Sequence, residues 1–255
     1  ATNNINMFPN VISFNSVLHA WAKSDGRDVA ARGEALMERL LDKYKSGDET
    51  KKPDARCYTM LLDCYAKSRS REAAIKAEQT LQQMHNMYRN GEMQLKPHVQ
   101  AYAIVLDAWS KSGAYDAPER IEAWLECMER DYAPLLDSGS YNVAITIWAK
   151  SGRPDAVPRV ERLVDRMFDI QEVDPDIVTY SCLVDLYSRN KQAQKATELL
   201  YRVCDAYVSG FSKVPPNSVI FATVISAWSK SDDDARLVQA RAVLARMKDM
   251  NLPPT

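Results

Sequence analysis

No apolar run in this chain approaches the roughly 18 residues that cross a bilayer, and residues 1–8 carry neither the basic stretch nor the apolar core of a targeting signal. These absences argue against a membrane span. There is no C-x-x-C pair among the five cysteines, Cys57, Cys64, Cys127, Cys182 and Cys204, and only His19, His85 and His98 could assist them. No metal site is therefore expected, and the thiols read as small core hydrophobes suited to a reducing compartment. Gly-rich phosphate loops, nucleophile elbows and H-E-x-x-H pairs are missing too, and no strand-period alternation stands out. Asp and Glu are plentiful but scattered along helical faces, where solvated salt bridges are their ordinary role. Nothing points to an enzyme or a cofactor.

Excess charge is also lacking: the formal net charge is −1 over 255 residues. A nucleic-acid partner therefore cannot be argued from bulk electrostatics, and any basic surface must be local. At 46% apolar and 26% charged residues, the composition is that of a folding, globular chain.

What the sequence does have is repetition. Six segments align without gaps: FNSVLHAWAKS from Phe14, YTMLLDCYAKS from Tyr58, YAIVLDAWSKS from Tyr102, YNVAITIWAKS from Tyr141, YSCLVDLYSRN from Tyr180 and FATVISAWSKS from Phe221. Their leading aromatics stand 44, 44, 39, 39 and 41 residues apart, a spacing that suits one helical hairpin per repeat. Apolar residues recur at the first, fourth, fifth and eighth places, as in Tyr102, Val105, Leu106 and Trp109. That is one stripe of an amphipathic helix, so Trp21, Trp109, Trp148 and Trp228 are expected in the core rather than on a stacking platform. After a polar break (Asp25-Gly26, Gly113, Gly152, Asp232 to Asp234) a second helical pattern follows, such as EAAIKAEQTLQQM from Glu72. Pro118 and Pro158 suit first-turn positions there. Loops such as SGDETKKPD, RNGEMQLKPH and VSGFSKVPPN then lead to the next hairpin.

The expected architecture is all-α: an α-solenoid, a right-handed superhelix of about six helix-turn-helix repeats. The repeats are delimited as 11–54, 55–98, 99–137, 138–176, 177–217 and 218–255, with 1–10 as the end of a preceding repeat. On that reading the chain is a segment of a longer array, and apolar faces at its two ends favour association in isolation.

A Pro-Asp turn, an aromatic followed by Asn, Thr or Ser, and an apolar helix ending near A-K-S, as in PNVISFNSVLHAWAKS and PDIVTYSCLVDLYSRN, resemble the pentatricopeptide repeat. The resemblance runs from about Pro9 to Thr255. Tetratricopeptide arrays, which bind proteins, are the nearest rival, but their W-x-x-L-G-x-x-Y pattern is absent. The resemblance implies a binder of single-stranded RNA in a mitochondrion or plastid, acting in RNA processing, stability or translation. The alternative is a protein-binding scaffold of tetratricopeptide-like type, and protein partners along the solenoid surface remain compatible with either reading.

In the family resembled, each repeat selects one base through the residue after the leading aromatic and the last residue before the next repeat. The pairs implied are Asn15 with Asp54, Thr59 with His98, Ala103 with Asp137, Asn142 with Asp176, Ser181 with Asn217, and Ala222 with Thr255. Two extra residues before Tyr141 leave Leu135 or Asp137 open as partner of Ala103. Asn with Asp resembles a uracil reader and Ser with Asn an adenine reader; Thr59 hints at a purine. Read with the N-terminal repeat at the 5′ end, the site is 5′-U, purine, any, U, A, any. The family also clamps bases between aliphatic side chains two residues before the leading aromatic. Ile12, Val178 and Val219 fit, whereas Arg56, Gln100 and Gly139 depart, although a guanidinium can stack through its plane.

One regularity stands without the family. Nine residues after each leading aromatic comes Lys23, Lys67, Lys111, Lys150, Arg189 or Lys230. Stacked hairpins align these six into a basic row spaced for successive phosphates. The same charges compensate helix C-termini, and one side chain can do both.

Overall fold

Each of the first helices begins where an Asx or His side chain caps it. Asn10, Asp54, His98, Asp137, Asp176 and Asn217 each accept a hydrogen bond from a first-turn backbone N–H, at 2.8 to 3.4 Å. This satisfies amides that the helix itself leaves without partners. Five of the six caps follow a proline, Pro9, Pro53, Pro97, Pro175 or Pro216, which holds the incoming chain out of helical geometry. The structure, a computed structural model, describes residues 9–24, 28–132, 136–170 and 173–250.

Among these residues there are helices and no strands. One compact unit, residues 1–132, carries three hairpins: α1 (Val11–Lys23) with α2 (Val29–Lys45), α3 (Ala55–Ser68) with α4 (Arg71–Arg89), and α5 (Val99–Lys111) with α6 (Ala117–Tyr132). Short 3-10 turns at Glu49–Lys51 and Met93–Leu95 follow α2 and α4. A second compact unit, residues 133–255, carries α7 (Ser138–Lys150) with α8 (Ala156–Asp169), α9 (Ile177–Arg189) with α10 (Ala193–Val208), and α11 (Ser218–Ser229) with α12 (Arg236–Asp249). The fold is an all-α solenoid of helical hairpins. No described helix is long and apolar enough to cross a membrane.

The corner of the hairpin falls eleven residues after the leading aromatic. Gly113 and Gly152 occupy it with φ of 65° and 66°, a left-handed conformation that a residue without Cβ adopts freely. In two other hairpins the same corner is made by Arg69 and Lys191, with φ of 52° and 56°. These two side chains tolerate a conformation that costs an L-residue about 1 kcal/mol or more.

Within each unit the first helices pack side by side, α1 on α3 and α3 on α5, then α7 on α9 and α9 on α11. The second helices α2, α4, α8 and α10 pack on the first helices to either side, α6 packs on α5 and α12 on α11, and second helices have little direct contact with one another. First helices are thus the more closely spaced layer, which puts them on the inner side of each unit. Their apolar stripe makes the core: Tyr58, Tyr102, Tyr141 and Phe221 are buried at the first place, and Tyr65, Trp109, Trp148, Tyr187 and Trp228 at the eighth. Trp21 is part-buried against the cluster of Leu18, Ala22, Val29 and Cys64. Val17 departs from its stripe and stands exposed.

The eighth-place aromatics also tie layers together through their polar atoms. Trp109 Nε1 donates to Glu78 at 3.1 Å, Tyr187 Oη to Glu161 at 2.7 Å, and Trp228 Nε1 to Thr197 at 2.7 Å. The same glutamates bind a base on the next second helix, Glu78 with Arg120 at 3.1 Å and Glu161 with Lys195 at 2.9 Å, while Glu34 binds Lys76 at 2.8 Å. A carboxylate satisfied by both an aromatic and a cation sets the spacing of successive hairpins.

Candidate nucleic-acid interface

The residue after each leading aromatic is one helical step, about 100°, off the core stripe. It therefore stands at the edge of the first helix, facing the start of the next one. Four such residues are half-buried, Thr59, Asn142, Ser181 and Ala222; Ala103 is exposed and Asn15 is buried, at 6%.

Where another first helix of the same unit follows, its cap residue lies opposite that edge, and two of the sequence-derived pairs meet directly. Asn15 Nδ2 donates to Asp54 Oδ1 at 3.4 Å, while its own Oδ1 is buried without a hydrogen-bond partner. In the fourth repeat the contact is tighter: Asn142 Nδ2 donates to Asp176 at 2.9 and 3.1 Å. Asp176 also accepts from Ser138 Oγ at 3.0 Å and from the backbone of Val178 and Thr179 at 2.8 and 3.0 Å. Burial opposes its charge, but these donors outweigh the burial and hold the Asp176 carboxyl below the ordinary carboxylate range.

The other pairs are looser. Thr59 Oγ1 donates back to the Ala55 carbonyl at 2.8 Å, and His98 caps α5; no hydrogen bond joins them among the described contacts. Ser181 and Asn217 likewise share none, Asn217 being occupied as the cap of α11. Ala103 and Asp137 belong to different compact units; Asp137 caps α7 with a 3.0 Å bond from the Ser140 amide. Leu135 and Thr255 lie outside the described residues.

Two residues before each leading aromatic the surface is open. Ile12, Val178 and Val219 are 71%, 49% and 59% exposed, large apolar side chains left in solvent on the first turn of α1, α9 and α11. Arg56, Gln100 and Gly139 occupy the same open position. At the opposite end of the first helices, Lys23, Lys67, Lys111, Lys150, Arg189 and Lys230 are all exposed. A second row, acidic, stands one turn earlier: Asp107 pairs with Lys111 at 2.6 Å, and Asp185 pairs with Arg189. Asp63, half-buried, has its carboxyl raised by burial and by the charge of Asp107, against the pull of His19, Lys23 and Lys67. The inner face of the first unit therefore alternates sign.

Residues 178–206 match the PPR repeat family model. That match falls on one hairpin of the six, α9 with most of α10. Two crystal structures of the pentatricopeptide repeat protein PPR10 in complex with an 18-nt psaJ RNA element, one a triple cysteine-to-serine variant, match the array with a TM-score of 0.63 at 18% identity. Each match covers 98% of this chain and 31% of the PPR10 chain, so the array spans about a third of that relative's length. At that identity the likeness concerns the fold. A comparison with curated protein sequences finds no match.

Two features of this surface escaped the sequence reading. Asp54, His98, Asp137, Asp176 and Asn217 are helix caps as well as candidate readers, a role signalled at most of them by a proline and a polar residue just ahead of an apolar run. The acidic row was signalled by Asp four residues before Lys67, Lys111 and Arg189, the spacing of a helical ion pair. Away from this surface, a groove of about 950 Å³ runs between α8 and α10, floored by Tyr180, Leu183 and Tyr187, with exposed Phe168 and Phe211 at its margin. No group of His, Cys, Asp or Glu suited to hold a metal occurs among the described residues.

Proposed function

We propose that the array binds single-stranded RNA along the inner face of its first helices, one base per repeat, by recognition rather than catalysis, in mitochondrial or plastid RNA processing, stability or translation. The observation that carries the reading is the Asn142–Asp176 couple, a polar pair built by residues far apart in the chain, beside the open apolar side chain of Val178. Such an edge supplies hydrogen bonds to a base and an apolar surface to stack it. Readers in the other repeats are Asn15 with Asp54, Thr59 with His98, Ser181 with Asn217, Ala103 with Asp137, and Ala222 with Thr255. Ile12, Val178 and Val219 clamp, and the six-residue basic row follows the phosphates. Asp107 and Asp185 hold Lys111 and Arg189 in the free protein, so the charges available at once are Lys23, Lys67, Lys150 and Lys230, which make no ion pair among the described residues. A repeat protein whose match, PPR10, was crystallised with RNA supports the same reading.

Titration of a labelled 5′-U-A-N-U-A-N hexamer against the array at 50 and 200 mM salt tests it. Binding that weakens with salt is expected, since each neutralised phosphate of a single strand releases counterions. Absence of binding at low micromolar protein, with no salt slope, refutes the proposal and favours a protein ligand, for which the groove between α8 and α10 is the feature on offer.

A further inference from the structure

We infer that Thr179 is a positioning residue that sets base specificity in the fourth repeat: its hydroxyl locks the amide of Asn142 in the orientation that accepts uracil and rejects cytosine. The inference rests on Asn142 acting as the reader of that base.

The bonds leave little freedom. Thr179 Oγ1 lies 2.6 Å from Asn142 Oδ1 and 3.2 Å from Asp176 Oδ1, and it accepts the Asp176 backbone N–H at 3.2 Å. A hydroxyl has a single proton, and the shorter contact receives it, so Thr179 donates to the amide oxygen of Asn142. On the other side the amide nitrogen donates to the Asp176 carboxylate. Turning the amide over would set its oxygen against the Asp176 carboxylate, losing that bond, and would force the Thr179 proton off its 2.6 Å contact with the amide oxygen. One N–H and one oxygen lone pair of Asn142 remain, each with a fixed direction.

That fixed order is what separates two pyrimidines. Uracil presents a donor at N3 beside carbonyl acceptors, whereas cytosine presents an acceptor at N3 beside an amino donor. An amide free to turn over satisfies either; one held in place satisfies only one. Asn142 is held.

The first repeat carries the same Asn–Asp pair without the lock. Cys57 stands where Thr179 stands, one residue before the next leading aromatic, and is fully buried. Asn15 Oδ1 is buried and without a partner, and its bond to Asp54 is longer, at 3.4 Å. A thiol is a poor donor to an amide oxygen. The first repeat is therefore the more tolerant of cytosine.

The test measures affinity for RNAs that differ only at the first or only at the fourth base, for the wild type, Thr179→Val, Thr179→Ser and Cys57→Thr. The wild type is expected to prefer U over C more strongly at the fourth base than at the first. Thr179→Val should cut the U-to-C ratio at the fourth base by about fivefold, the order of one neutral hydrogen bond, and leave the first-base ratio unchanged; Thr179→Ser should restore it. Loss of helix capping alone would weaken all RNAs together and leave both ratios intact. Cys57→Thr, which supplies the missing hydroxyl, should raise the first-base ratio by a similar factor, and it decides the matter if Thr179→Val does not fold. Unchanged ratios in folded variants overturn the role of Thr179 while leaving Asn142 as a reader. Equal wild-type affinity for all four bases at the fourth position overturns the reading itself, and the inference with it.

Discussion

Trp109→Ala separates packing from recognition. The ring is fully buried in the stripe it shares with Tyr102, Val105 and Leu106, its Nε1 donates to Glu78 at 3.1 Å, and the Arg120 guanidinium lies 5.8 Å from its centroid. Truncating a large core aromatic costs roughly 3 to 5 kcal/mol through lost burial and the cavity left behind. Domains of this kind are stable by only about 5 to 15 kcal/mol, so the residues 1–132 unit should unfold at markedly lower denaturant. Trp109→Phe keeps most of the packing and gives up the bond to Glu78, costing about 1 kcal/mol from the hydrogen bond plus a smaller packing loss. Urea unfolding followed by circular dichroism ranks the three proteins, with RNA affinity measured below the transition. Wild-type stability in Trp109→Ala together with abolished RNA binding would show that the tryptophan contacts the ligand and that its placement in the core is wrong.

Arg69→Gly relieves a left-handed corner that Gly113 and Gly152 already make with glycine, and should stabilise by about 0.5 to 1 kcal/mol in thermal melts; a destabilised variant would mean that the arginine side chain contributes more than the strain costs. Asp107→Asn removes the partner of Lys111, so RNA affinity should rise and its salt dependence steepen by up to one counterion, against no change if Lys111 is off the phosphate path. Lys150→Ala should weaken every RNA alike and flatten the salt slope; a change in base preference would contradict a phosphate role. Acid should destabilise the residues 133–255 unit: the carboxyls of Glu161 and Asp176 sit below their ordinary range, each through donors that outweigh burial. Stability from such groups is present above the unfolded carboxylate value, about 4, and is lost as pH falls through the lowered folded values. Stability that stays flat from pH 6 to pH 3 would count against both hydrogen-bond sets.

The helical character of the chain was legible because its apolar spacing repeats six times in register, and the aromatics at the first and eighth places lie where a 3.6-residue period puts them. Val17 shows the limit of that logic: periodicity says which residues share a face, while exposure depends on what packs against the face. The bond between Asn142 and Asp176 joins residues 34 positions apart, and residue spacing alone does not foretell a contact that depends on how one hairpin stacks on the next. Resemblance supplied the pairing; stacking supplies the distance. Thr179 escaped notice because it precedes a leading aromatic and is buried, so its polar role emerges only from the position of its hydroxyl. The Glu78 and Glu161 hubs were equally hidden, since a glutamate on a second helix looks like any solvated charge until its aromatic and basic partners arrive from two other helices.

The central claim, that the inner edge of the first helices reads bases, is tested most directly in the fifth repeat by the exchange Ser181→Asn with Asn217→Asp. Both side chains lie off the apolar stripe, and Asp caps a helix as well as Asn does, so the fold should survive. Affinity is measured for four RNAs differing only at the fifth base, before and after the exchange, alongside thermal melting. The account predicts that preference moves from A to U at that base alone, by about tenfold if one base contributes the roughly 1 to 3 kcal/mol typical of protein–DNA recognition. An unchanged ranking of the four RNAs in a folded double variant would contradict it.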